Sequence, residues 1–208
     1  MPLLEKSDLA VTLDHWVINN VLQQMACWQS SHNLIMPISI NLSARSLTFS
    51  NFNELLKKAL SEHSSVNPEC LELEILENEA LHDLTISSEV MRSCLALGVK
   101  FALDDFGTGY SSLSYLRHLP AQTLKIDQSF VRDMLHDEED AAIVQGVIGL
   151  ANAFKRDVIA EGVETKEHCQ RLLNMGCTTA QGYFIAKPMP VSVFCDWLTH
   201  WHKEHRCL

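Results

Sequence analysis

Apolar residues recur at two different periods along this chain, and the switching between them predicts its elements. From Asp8 to Trp28, the residues Leu9, Leu13, Trp16, Val17, Val21, Met25 and Trp28 fall at helical spacing, with Ser7 or Asp8 placed to cap the start. Met36 to Ser43 reads as a short strand ending near Asn41, and residues 51–62 as a helix with Phe52, Leu55, Leu56 and Leu60 as its inner stripe. Cys70 to Leu76 alternates as a strand should and carries Glu72 and Glu74; a helix over 86–97 then stops at Gly98. Val99 to Leu103 is a continuous apolar run, predicting a buried strand, followed by a helix from Ser111 to His118 that Pro120 halts. Thr123 to Asp127 predicts a strand, and Glu138 to Phe154 a long helix with Ile143, Val147, Leu150 and Ala151 inward. Asp157–Glu161 reads as a strand, Thr165–Asn174 as a helix, Thr179–Phe184 as a last strand, and 191–205 as a terminal helix.

One helix followed by six strand–helix units predicts parallel strands with helices outside, in a single domain over residues 1–208. The pattern alone admits both an open doubly wound sheet and a barrel. No G-x-G-x-x-G follows the first strand, which weakens a dinucleotide-binding reading.

The polar residues at the strand ends change the picture. In order they are Asn41, Glu74, Asp104 with Asp105, Lys125, Glu161 with Glu164, and Gln181. In a (β/α) barrel such residues converge on one face, where these folds keep their active sites. Carboxylates with an amide form a hard oxygen set that suits Mg²⁺ or Mn²⁺ better than zinc. Two such ions can activate water against a phosphodiester. Lys125 suits orienting that water or neutralising a phosphate oxygen, with a structural ion pair as the plainer reading. Glu161 and Glu164 suit a general base and its support, or a solvated acid pair at a helix start. Asp104 and Asp105, followed by a loop with Gly107 and Gly109, suit catalysis or the capping of the next helix.

Composition narrows the partners. A formal net charge of −10 argues against binding DNA or RNA polymers through a basic surface. Seven cysteines without a C-x-x-C pair suit reduced thiols and a cytoplasmic setting. No apolar run reaches membrane-spanning length, so no membrane contact is expected of this segment. His200, His202 and His205 lack the i, i+4 spacing of a helical metal pair, and Trp197 and Trp201 suit packing of the last helix. The acidic run from His136 to Asp140 reads as a helix start.

Six motifs in order carry a family resemblance across essentially the whole chain. They are Asn-Leu-Ser-Ala (41–44), Leu-Glu-Leu-Glu-Ile-Leu-Glu (71–77), Leu-Asp-Asp-Phe-Gly-Thr-Gly-Tyr-Ser-Ser-Leu (103–113), Leu-Lys-Ile-Asp (124–127), Ala-Glu-Gly-Val-Glu-Thr (160–165) and Gln-Gly-Tyr-Phe (181–184). Together they resemble the EAL-domain phosphodiesterases, which hydrolyse cyclic di-GMP to linear pGpG. The resemblance implies an α/β fold, a (β/α)8 TIM-barrel-like domain, and a two-ion Mg²⁺ or Mn²⁺ site. It implies Asn41, Glu74, Asp104 and Asp105 as metal ligands, and Lys125 and Glu161 as the water-activating pair with Glu161 the base. Glu164 and Gln181 complete the metal and water shell. Glu77 steadies the loop formed by Phe106, Gly107, Thr108, Gly109, Tyr110, Ser111 and Ser112, which links metal binding to a homodimer contact.

The chain departs from the family pattern in two places. Leu76 stands where the family has threonine, and no Glu-Ala-Leu signature precedes Asn41; Glu79-Ala-Leu81 lies after the second strand and is a coincidence of sequence. The opening, Met1 to Ser7, resembles the segment that follows the signature, so the barrel is expected to be incomplete, lacking about its first two strands and one metal ligand. Impaired metal and nucleotide binding is the expectation for this chain, with an inactive cyclic di-GMP receptor or scaffold as the alternative function. A parent protein anchored to a membrane through preceding sequence is compatible with both.

Overall fold

The computed structural model describes residues 8–109 and 116–204. A long helix α1 (Asp8–His32) leads into β1 (Ile38–Asn41), the short α2 (Ala44–Thr48) and α3 (Phe52–Glu62). Then come β2 (Leu71–Leu76), α4 (Glu77–His82), α5 (Leu84–Leu95) and β3 (Lys100–Phe106). The chain continues through β4 (Thr123–Ile126), α6 (Gln128–Asp133), α7 (Glu138–Ala153), β5 (Asp157–Ala160), α8 (Lys166–Asn174) and α9 (Val191–Glu204). The expected helix start at Ser111 and the loop residues Tyr110, Ser111 and Ser112 lie outside the described residues, as does His205.

All five strands are parallel and hydrogen-bonded in the order β1-β2-β3-β4-β5. A doubly wound sheet reverses its strand order at a switch point; this one never does, which is the winding of a (β/α) barrel. The barrel is partial. Among the described residues β1 has a neighbour on its β2 side alone, and its inward residues Ser39 and Asn41 are exposed.

Side-chain alternation along each strand separates two environments. Leu71, Leu73 and Ile75 of β2, Phe101 and Leu103 of β3, and Leu124 and Ile126 of β4 are buried in one core cluster with the surrounding helices. The intervening residues point the other way and form two stacked polar layers. In the lower layer Glu72 accepts from Ser39 Oγ at 2.8 Å and from Thr123 Oγ1 at 2.7 Å. Two residues further along the same strands, Glu74 and Lys125 meet in the upper layer.

Two expectations need correction. The strand predicted over Thr179–Phe184 is reduced to an isolated bridge between Ala160 and Ala180. Here the chain lies against the bend after β5: a Cβ on Gly182 would sit 2.1 Å from the Val163 carbonyl oxygen. Hydrogen bonds from Val163 N to Gln181 O (3.0 Å) and from Phe184 N to Val163 O (3.0 Å) replace a continued ladder. The face of α1 also differs. Its buried side is Ala10, Val11, Asp14, Ile18, Leu22 and Met25, whereas Leu9 and Trp16 are 63% and 62% exposed. In α7, Val144 and Ile148 join Val147 and Ala151 inside, and Ile143 turns outward. Counting apolar residues found both helices but set their inner faces partly out of phase.

The terminal helix is pinned by aromatic contacts. Trp28 of α1 meets Phe194 at 5.0 Å between ring centroids, and Phe194, Trp197 and Trp201 continue the row along α9. His200 Nδ1 lies 2.7 Å from the Asp196 carbonyl. No helix among the described residues is long and apolar enough to cross a membrane.

Candidate metal centre

Lys125 organises the upper layer. Its side chain is 3% exposed, and its ammonium contacts Glu161 at 2.7 Å, Glu74 at 2.8 Å and Asp104 at 3.1 Å. Burial alone disfavours a charged lysine, but the hydrogen bonds it donates to Glu161 and Glu74 and the charges of Glu74 and Asp104 outweigh it, holding Lys125 above its ordinary pKa. The Glu74 pKa is raised as well, in its case by burial, with Lys125 opposing.

The adjacent aspartates sit on an irregularity. Between Leu103 and Phe106, β3 spends three residue steps where β4 spends two, from Leu124 to Ile126. Asp105 takes up the extra residue with φ +53°, a left-handed conformation that aspartate tolerates better than most residues. In a regular strand, neighbouring side chains point to opposite faces. The bulge lets both converge: oxygens of Asp104, Asp105 and Glu161 lie within 4.8 Å of one another. Bulges commonly re-aim side chains beside active sites.

This crowding raises the Asp105 pKa to about 6, through burial first, then the hydrogen-bonded Asp127 carboxyl and the charges of Asp104, Asp127 and Glu161. Asp127 itself is lowered: burial works upward but is overcome by Ser129, whose side chain and backbone N–H both donate to it, and by Asp105. Three converging oxygens short of positive charge fit a divalent cation that takes oxygen ligands.

A raised carboxylate pKa contributes stability that is complete below the unfolded value of 3.8 and lost as pH rises through about 6. Asp105→Asn removes that loss and keeps a residue suited to positive φ. It is therefore expected to stabilise the metal-free protein by on the order of 1 kcal/mol at pH 8, with no gain near pH 4. Urea midpoints across that range test this; a gap independent of pH would contradict it.

Gly162, with φ +72°, turns the chain directly after Glu161, and a Cβ there would sit 2.7 Å from Gln128 Cβ. The bend sends Glu164 away from Glu161: Glu164 pairs with Arg132 at 2.9 Å, on a surface where both are nearly half exposed. Gln181 brings its backbone to the end of β5, donating to Ala160 O at 2.8 Å, with its residue exposed. Asn41 is the register partner of Glu74 and shares with it, Asp14, Leu76 and Glu79 the wall of a cavity of about 480 Å³ beside β1.

Glu77 is 2% exposed and accepts from Gly107 N at 3.1 Å, with Gly109 N–H also lowering its pKa against the larger upward push of burial. Its Oε1 is buried with no hydrogen-bond partner among the described residues. Phe106 is buried at the end of β3, and Thr108 Oγ1 donates to Asp105 O at 2.9 Å.

Several residues in or around the site escaped the sequence reading. Asp127 ends the Leu-Lys-Ile-Asp motif, a position that could have flagged it, and it both caps α6 and faces Asp105. Glu72 was visible as an acid on β2 but not as the centre of the lower layer. Arg132 and Asp14 carried no local signal.

Parallel strands wound in one direction, with acids and a buried lysine gathered at their C-terminal ends, define a (β/α)-barrel protein with a metal-type site. The chain belongs to the EAL domain family, whose pattern it matches over residues 1–188. It is 38% identical over 190 residues to the bifunctional diguanylate cyclase/cyclic di-GMP phosphodiesterase MucR of Pseudomonas aeruginosa, covering 91% of this chain and 28% of that protein. It is 38% identical over 198 residues to the cyclic di-GMP phosphodiesterase PA2567 of the same species, covering 95% and 33%. The chain thus spans a third or less of the length of these curated relatives. Among solved structures, the PaMucR phosphodiesterase in complex with c-di-GMP superposes with a TM-score of 0.87 at 38% identity, covering 93% of this chain and 78% of that one. The EAL domain of Mycobacterium smegmatis DcpA superposes with a TM-score of 0.81 at 34% identity, covering 92% of this chain and 86% of that one.

Proposed function

We propose that this domain hydrolyses a phosphodiester of cyclic di-GMP to give linear pGpG, using two Mg²⁺ or Mn²⁺ ions. The observation that carries the reading is the Glu161–Lys125 contact of 2.7 Å beside the converging oxygens of Asp104 and Asp105. Binding alone does not call for a carboxylate placed as a proton acceptor beside the ion ligands.

Asn41, Glu74, Asp104 and Asp105 hold the ions, and Glu164 and Gln181 serve the surrounding water shell once substrate is seated. Divalent cations, when bound, supply Lewis-acid charge against the negative charge that develops on the phosphoryl oxygens. Lys125 orients Glu161 through their direct contact of 2.7 Å. Glu161 takes a proton from the attacking water as its oxygen bonds to phosphorus, the P–O3′ bond breaks, and the 3′ oxygen takes up a proton from solvent to leave as a hydroxyl. Glu77 holds the start of the loop at Gly107 and Gly109, and through that loop we infer the homodimer contact. A cytoplasmic location follows from this substrate class.

Purified protein incubated with cyclic di-GMP and Mn²⁺ or Mg²⁺ is expected to yield pGpG, separable by chromatography, and to stop when EDTA is added. The exposed inner face of β1 favours a second reading, a receptor that binds without turnover. Tight binding of cyclic di-GMP with no pGpG at saturating Mn²⁺ would select it. Neither binding nor conversion would exclude both.

A further inference from the structure

Asp14 sits on the helix that precedes the first strand and belongs to none of the motifs, yet it is 8% exposed, and one of its oxygens is fully engaged. Oδ2 accepts from Ser43 N at 3.0 Å, Ser43 Oγ at 2.6 Å and Ser46 Oγ at 2.7 Å. Those donors belong to the corner that turns β1 into α2, where Ser43 also caps α2 by accepting from Ser46 N. The opposite side of the corner is tied by Glu79 of α4, whose Oε2 accepts from Ala44 N at 3.1 Å. One further hydrogen bond, Leu42 N to Glu74 O at 2.8 Å, joins the corner to β2.

These tethers matter because of what precedes them. Asn41 ends β1, opposite Glu74, on the outermost strand of the described sheet. Among the described residues no strand flanks it on the other side to fix its direction. The position of its amide therefore depends on the corner just beyond it, and Asp14 supplies three of that corner's hydrogen bonds. A charged acceptor roughly doubles the strength of such bonds over a neutral one, and burial strengthens them further.

We propose that Asp14 is a positioning residue of the metal centre: through Ser43 and Ser46 it sets the β1–α2 corner, and so holds the Asn41 amide beside Glu74 in reach of the cation. The inference rests on the metal-site reading above. It places a functional requirement on α1, an element that contributes no ligand.

The test is Mn²⁺ binding, followed by calorimetry and by the EPR signal of free Mn²⁺ on wild type, Asp14→Ala, Asn41→Ala and the double variant. Loss of an outer partner of a ligand typically weakens metal binding about 10- to 100-fold. Asp14→Ala is expected to weaken Mn²⁺ binding about tenfold in the wild-type background and hardly at all in the Asn41→Ala background. A general loss of folding would lower both backgrounds equally, which overturns the proposal. Ser46→Ala removes one of the three hydrogen bonds without touching α1, and is expected to give a smaller loss with the same dependence on Asn41; Mn²⁺ binding equal to wild type in Ser46→Ala and Asp14→Ala would also overturn it. If wild type binds no Mn²⁺, the metal-site reading falls and the positioning role with it. If wild type and Asn41→Ala differ while Asp14→Ala matches wild type, the site stands and the role of Asp14 is refuted.

Discussion

Glu161→Gln is expected to lower cyclic di-GMP hydrolysis at saturating Mn²⁺ by about 10³-fold, within the range that a positioned general base contributes. The glutamine oxygen can still accept from Lys125, at the place where Glu161 now does at 2.7 Å. Shape and packing are therefore preserved while the proton acceptor is removed. Glu161 also belongs to the cluster with Asp104 and Asp105, so the variant needs more Mn²⁺ to saturate. Measuring single-turnover formation of pGpG at several Mn²⁺ concentrations separates the two effects. A rate that returns to within tenfold of wild type at high Mn²⁺ would remove Glu161 from the proton transfer and leave it a ligand.

Lys125→Met should be the most destabilising single change in the site. It leaves Glu74, Asp104 and Glu161 facing one another without their shared cation, and breaking a buried ion pair from one side typically costs about 3–5 kcal/mol. The pH dependence identifies the cause. Glu74 already has a raised pKa through burial, and losing Lys125, which opposes that rise, moves it higher. A raised acid pKa gives stability at low pH that disappears as pH climbs, so the deficit of the variant should be smaller near pH 5 than at pH 8. Mn²⁺ should recover part of it by replacing the lost charge. Urea unfolding at the two pH values, with and without Mn²⁺, tests the argument. A deficit below about 1 kcal/mol, or one equal at both pH values, would mean that Lys125 is held there by packing and not by charge.

Most of the scaffold was legible because period-2 and period-3.6 patterns are imposed by burial itself. Glu72 and Glu74 in an otherwise apolar β2, and Asp104 at the close of β3, stood out as polar groups where a buried strand should have none. Short helices were not legible: α2, α4 and α6 have too few residues to display a period. Thr179–Phe184 has the composition of a strand, but Gly182 lets Val163 approach so closely that the ladder stops after Ala180. Glu164 looked like a partner of Glu161, and the turn at Gly162 carries it to Arg132 instead. Asp14 could not be read at all, because the donors it serves lie 29 and 32 residues away. Long-range hydrogen bonds leave no local trace.

The extra residue in β3 makes the site sensitive to chain length as well as to chemistry. Between Leu103 and Phe106 the strand keeps its acids together only by being one step longer than its β4 partner. Deleting Leu103 or Phe106, which spares both aspartates, would let β3 relax into regular pairing and send one of the two carboxylates to the opposite face of the sheet. Substitutions along this stretch are graded in their effects, whereas a one-codon loss or gain is all-or-none. The length of this segment is thus a structural requirement separate from the identity of the residues it carries.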